Sequence, residues 1–154
     1  MSDYPEGLDE RSPSVQAHLG IIQSTIQRMS LNSASCKTWC VTIVAAVIVL
    51  IADRNKPALV WVAIFPALIF AALDTYYLAL EKGFRSAYEG FVRKLHIGRL
   101  MPEDLYTVQP RGSTREHQRS ALKSFSIWGF YLSLIALAIL ACFLALGAQF
   151  IVYA

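Results

Sequence analysis

Three uncharged apolar stretches divide the chain: Thr38 to Ala52, Pro57 to Leu73 and Ser124 to Ala154. A bilayer core about 30 Å thick is crossed by roughly 20 apolar residues of helix. The third stretch meets that length outright. The first two are completed by their flanks, giving spans at about 36–53 and 57–78. Between the stretches the pattern changes from continuous to periodic. Large apolar residues recur at Val15, Leu19, Ile22, Ile26 and Met29, in alternating steps of four and three, and again at Tyr77, Leu80, Phe84, Tyr88, Phe91 and Leu95. This is the seam of two packed helices. Ser12-Pro13 reads as an N-cap followed by proline at the first helical position.

The two seams pair by register. With the turn centred on Asn55, antiparallel partners have positions that sum to about 110, so Val15 faces Leu95, Leu19 faces Phe91, Ile22 faces Tyr88 and Ile26 faces Phe84. The pattern therefore predicts an all-α fold with three transmembrane helices. The first two form a long antiparallel hairpin with coiled-coil arms, each of roughly 25 residues reaching about 35–40 Å beyond the bilayer. The predicted division is an acidic, disordered tail at 1–12, the hairpin at 13–97, a basic loop at 98–117 and the third transmembrane helix at 118–154.

Composition agrees: 55% of residues are hydrophobic and the mean hydropathy is +0.44, concentrated in the three stretches. Charge sets the expected orientation. Of fourteen Lys and Arg, nine lie between 81 and 123, against two in the 53–57 turn. By the positive-inside rule the arms and the N-terminus are cytoplasmic, and the turn and C-terminus are outside, in a cell inner membrane. Asp3, Glu6, Asp9 and Glu10 precede any apolar run and argue against a cleaved signal peptide. Trp39, Tyr76, Tyr77 and Trp128 fall at the inner interface, with Trp61 and Tyr153 at the outer one. Pro66 is expected to kink the second span. Cys36, Cys40 and Cys142 read as small packing residues and not as disulfides or metal ligands.

The same register places Asp74 level with Cys36 and Lys37. A carboxylate in lipid is costly and a cation at equal depth offsets much of that cost. Lys37 and Asp74 are thus expected as an intramembrane ion pair, either a structural clamp or part of an ion or proton path. Arg111, Arg115, His117 and Arg119 form a juxtamembrane basic group suited to anionic lipid or to a phosphate-bearing ligand. Ala138, Ala141, Ala145, Gly147 and Ala148 supply small residues for close helix approach, within the chain or between copies. Gln149 is the one strongly polar residue in the outer half of that span. His18, His96 and His117 read as solvated and scattered. No nucleophile, metal or phosphate-loop motif is present, so a non-enzyme without cofactor or metal is expected. Nothing in the chain points to direct reading of nucleic acid.

Several of these positions carry a resemblance. Ile21-Ile22-Gln23 through Gln27-Arg28-Met29, then Asn32-Ser33, Lys37, Trp39 and Val41-Thr42, form one block. Leu73-Asp74, Tyr76-Tyr77-Leu78, Glu81, Phe84-Arg85 and Tyr88 form the other. Over about residues 18–93 the chain resembles a family of small, little-characterised bacterial multi-pass membrane proteins, some associated with defence modules. It departs at Lys82, where the family tends to carry Arg, and in lacking a bulky aromatic shortly before Asp74. The resemblance implies Arg28, Asn32, Glu81 and Arg85 as a polar network at the inner interface, beside Lys37 and Asp74. It also implies a membrane effector that disturbs the envelope. Together with the long arms, the basic loop and the small-residue third span, this gives the expectation of an oligomeric effector that perturbs or permeabilises the membrane on a cytosolic signal, with a cytosolic protein or nucleotide-like ligand as trigger. A non-conducting anchor recruiting a soluble partner through its arms is the alternative, and a transporter subunit is a third.

Overall fold

A computed structural model describes residues 8–54 and 56–153, with side chains as far as Gly147. Helix α1 spans Pro13–Arg54 and α2 spans Val60–His96, joined by a turn that contains one 3-10 turn at Pro57–Leu59. At 1.5 Å per residue α1 is about 63 Å long, twice the thickness of a bilayer core. α1 and α2 lie antiparallel as a hairpin. A short helix α3 spans Thr114–Leu122, and α4 spans Phe125–Tyr153. Three helices are long and apolar enough to cross a membrane, the arrangement of a membrane protein.

The third span differs from the single helix expected over 118–154. The chain breaks at Lys123-Ser124, where the Ser124 carbonyl accepts from the Ile127 and Trp128 N–H groups and starts a new helix. The start of α1 also differs in detail. The Ser12 hydroxyl does not cap it; that oxygen accepts from the Asp9 N–H at 3.0 Å and donates to the Asp9 carboxylate at 2.8 Å. α2 runs through Pro66 as one helix.

Within the spans the core is a continuous stripe on α1 of Cys40, Val44, Val47 and Ile51. It meets Val60, Ala63 and Ala67 of α2 and Ile127, Tyr131, Ala138 and Ala145 of α4. The alanines set the packing, because helices approach closely where side chains are small. Ala138 and Ala145, seven residues apart, turn into the hairpin, Ala141 is half-buried and Gly147 is exposed. The small-residue face is therefore used inside the chain, and the third span packs on its own hairpin. Ala148, Gln149 and Tyr153 lie outside the described side chains. Trp61, Phe65, Phe143 and Leu144 are exposed, the outward apolar surface that a bilayer covers.

In the arms the buried stripe is rotated from the expected seam. Val15, His18, Ile22 and Thr25 are buried, whereas Leu19, Ile26 and Met29 are half-buried. The cause is a third partner. Residues 97–113 do not hang free as a loop but run back along the hairpin as a strap, covering the side of α1 that carries His18. Buried Ser and Thr are tolerated because their hydroxyls have partners nearby. Thr25 donates to the Ile21 carbonyl and Thr75 to the Ala71 carbonyl, one turn back.

Candidate functional site

Asp74 is fully buried where α1, α2 and α4 meet. Lys37 Nζ lies 2.5 Å from Asp74 Oδ2. The Ser33 hydroxyl donates to the other carboxylate oxygen, and Lys37 Nζ also lies 3.4 Å from Ser33 Oγ. From α4 the Tyr131 hydroxyl stands 3.2 Å from Asp74 Oδ2 and 3.2 Å from the Phe70 carbonyl, so one proton serves two acceptors. Lys37 Nζ is 6.0 Å from the Phe130 ring centroid, within cation–π reach. One carboxylate on α2 thus gathers an ammonium and a hydroxyl from α1 and a second hydroxyl from α4.

Sequence position explains two of the three partners. Ser33 and Lys37 are four residues apart and share a helix face. The short turn at Pro57 brings that face opposite Asp74. Tyr131 carried no such signal. It lies in a stretch apolar on all sides, and only the docking of α4 selects it. Lys37 is 20% exposed while Asp74 is 0% exposed, which leaves the ammonium a route toward the surface that the carboxylate lacks.

The four residues implied as an inner-interface network do not form one. Glu81 and Arg85 pair along α2, with Arg85 Nη2 2.8 Å and Nε 2.9 Å from Glu81 Oε1. Arg28 is exposed and, among the described residues, reaches only the Thr25 hydroxyl, at 3.5 Å. Asn32 is exposed, with no side-chain hydrogen bond among the described residues. The physical reason is rotation: Arg28 and Asn32, four residues apart, share an exposed flank of α1 beside the buried stripe that carries Thr25, Ser33 and Cys36.

The basic group also divides. The Arg111 N–H donates to the Gly83 carbonyl at 3.0 Å, and the Arg111 carbonyl accepts from His117 Nε2 at 2.7 Å. The Arg111 guanidinium crosses Gly90 so closely that a Cβ there would lie 2.2 Å from Nη1. Gly83 clears the way for Pro110 in the same manner, its absent Cβ falling 2.7 Å from the proline Cβ. Arg115 and Arg119 lie on the exposed side of α3, with no carboxylate within 4 Å among the described residues. Lys82 Nζ donates to the Ser120 hydroxyl at 2.7 Å and ties α3 to α2. Arg111 and His117 therefore hold the strap, and Arg115 and Arg119 face outward.

His18 corrects the reading of the histidines as solvated. It is 1% exposed, packs against Phe91 with ring centroids 4.3 Å apart and the planes tilted by 42°, and accepts at Nδ1 from the Tyr106 N–H at 2.9 Å. Burial pushes its pKa below the ordinary histidine value, against a smaller upward pull from Asp104. His96 is exposed, 3.6 Å from Glu10. Lys94 Nζ lies 2.6 Å from Asp104 Oδ1, and this hydrogen bond holds the Asp104 carboxyl below its usual range. A cavity of about 250 Å³ lies beneath the strap, lined in part by His18, Phe91, Lys94, Asp104 and Arg111. Cys36, Cys40 and Cys142 are free thiols, and the Cys142 thiol lies 3.6 Å from the Pro57 carbonyl, its acceptor.

Comparison with protein-family models, with curated proteins and with solved structures finds no match for this chain.

Proposed function

We propose that the chain is a multi-pass inner-membrane effector that acts as a homo-oligomer, perturbing or permeabilising the membrane when a cytosolic signal reaches its arms. The observation that carries this reading is the convergence of three helices on Asp74, close to where the arms enter the spans. While the helices stay packed, the carboxylate is satisfied and the core is filled. Moving α4 or α1 away from α2 uncovers a carboxylate, an ammonium and two hydroxyls at membrane depth. Their replacement partners are then water or the same groups of a second copy. A mechanical input at the arms is thereby converted into self-association and a wet path. The excess of basic residues in 81–123 supports cytoplasmic arms and N-terminus, and an external C-terminus. The resemblance to defence-associated membrane proteins points the same way.

A second reading is favoured by the filled core: a non-conducting anchor whose arms recruit a soluble partner. Native mass spectrometry in nanodiscs, paired with dye release from vesicles, separates the two. The effector reading expects a ring of four or more copies and release that rises when Tyr131→Phe loosens α4. A monomer or dimer without release in either form overturns it in favour of the anchor.

A further inference from the structure

The strap of residues 97–113 is held to the arms by three anchors of different chemistry. Lys94 pairs with Asp104, the Arg111 N–H donates to the Gly83 carbonyl, and the Tyr106 N–H donates to His18 Nδ1. The last anchor is unusual on two counts. Tyr106 holds a positive φ of 61°, a conformation costly for a residue with a Cβ, so its backbone is kept there by its surroundings. Its acceptor is an imidazole nitrogen, which accepts only while that nitrogen carries no proton.

We propose that the strap is a pH-sensitive latch, docked on the arm while His18 is neutral and released when His18 is protonated. The proton adds to Nδ1 and turns an acceptor into a donor that faces the Tyr106 N–H. The bond is lost, two donors oppose each other, and a charge sits against Phe91. The other anchors do not behave this way. The bond from the Arg111 N–H to the Gly83 carbonyl has no titrating partner, and His117, which donates from Nε2 to the Arg111 carbonyl, still donates from that atom when its ring is protonated. Asp104 stays ionised across the pH range in which histidines titrate, because Lys94 holds its carboxyl low.

The groups around His18 do not cancel the effect. From α2 it faces Lys94; from the strap, Glu103, Asp104 and Arg111 line the same cavity, two acids and two bases in all. α1 has no other ionisable side chain between Pro13 and Gln27. The cavity gives solvent protons access to a side chain that is otherwise enclosed. The sign follows from the lowered pKa. The bond's contribution is complete above the ordinary histidine value of about 6.5 and is lost as pH falls below it, by up to about tenfold in the docking equilibrium per pH unit. This inference does not depend on the effector reading, since an anchor carries the same latch.

The test uses the full chain in nanodiscs. Hydrogen–deuterium exchange is measured on the peptide containing Tyr106 and Arg111 between pH 7.5 and 4.5, with rates corrected for the pH dependence of free-amide exchange. Protection is expected to fall by ten- to a hundredfold across this range in the wild type. In His18→Asn, whose Oδ1 accepts without titrating, it is expected to stay level. Flat wild-type protection, or the same decline in His18→Asn, overturns the latch. Should His18→Asn not dock at any pH, the imidazole nitrogen signals of the ¹⁵N-histidine wild type decide. His18 Nδ1 must be unprotonated at pH 7.5 and gain its proton over the interval in which protection is lost; a titration out of step with that loss overturns the latch equally.

Discussion

Removing Lys37 alone should be more damaging than removing the whole charge pair. In Lys37→Met the Asp74 carboxylate stays fully buried with only the Ser33 and Tyr131 hydroxyls to support it. Breaking a buried pair from one side costs about 3–5 kcal/mol, because a charge is left without its counterpart. In Asp74→Asn the remaining ammonium is 20% exposed and can swing outward, so the loss is limited to about 1–3 kcal/mol of hydrogen bonding. The double variant leaves no charge in the bundle, at a cost of about 1–2 kcal/mol. The two single losses together should therefore exceed the double loss by about 2–7 kcal/mol. Reversible unfolding in mixed dodecylmaltoside–SDS micelles, followed by far-UV circular dichroism, gives all four corners of the cycle. Additivity within about 0.5 kcal/mol would refute the reasoning, because independent sites add.

Other expectations follow from single contacts. Tyr131→Phe deletes the hydroxyl that α4 brings to Asp74 and should cost about 1–2 kcal/mol in the same micelle assay. Gly83→Ala should loosen the strap, seen as faster exchange at the Arg111 amide, because the new methyl meets the rigid Pro110 ring at 2.7 Å. Gly90→Ala should leave that amide protected, since only the flexible end of Arg111 must move. Ala138→Leu overfills a buried position and should cost about 1–3 kcal/mol, while Gly147→Ala meets open space inside α4 and should raise the thermal melt, by up to about 1 kcal/mol of helix propensity.

The hydrophobic pattern by itself determined the number of spans, the hairpin and the depth at which charges lie. These depend on local periodicity and on one short turn, which converts distance along the chain into distance in space. Once the turn lies between Arg54 and Pro57, Lys37 and Asp74 become neighbours without reference to the rest of the molecule. Ser33 shares a face with Lys37 one turn earlier, but the register placed only Cys36 and Lys37 level with Asp74. Tertiary structure alone decided the remainder. The Ser124–Ala154 stretch is apolar on every side, so no face of it is marked for burial, and only its packing on the hairpin brings Tyr131 to Asp74. The spacing of Arg28, Asn32, Glu81 and Arg85 suggests a shared depth but not a shared face, and helix rotation separates them. His18 read as polar and therefore solvated; it is buried because a segment about 90 residues later folds back over it, held by a backbone N–H that has no sequence signature. Periodicity reports which side of a helix is covered when the cover is another regular helix. It is silent when the cover is an irregular strap, whose contacts come from main-chain atoms and from the gaps left by Gly83 and Gly90.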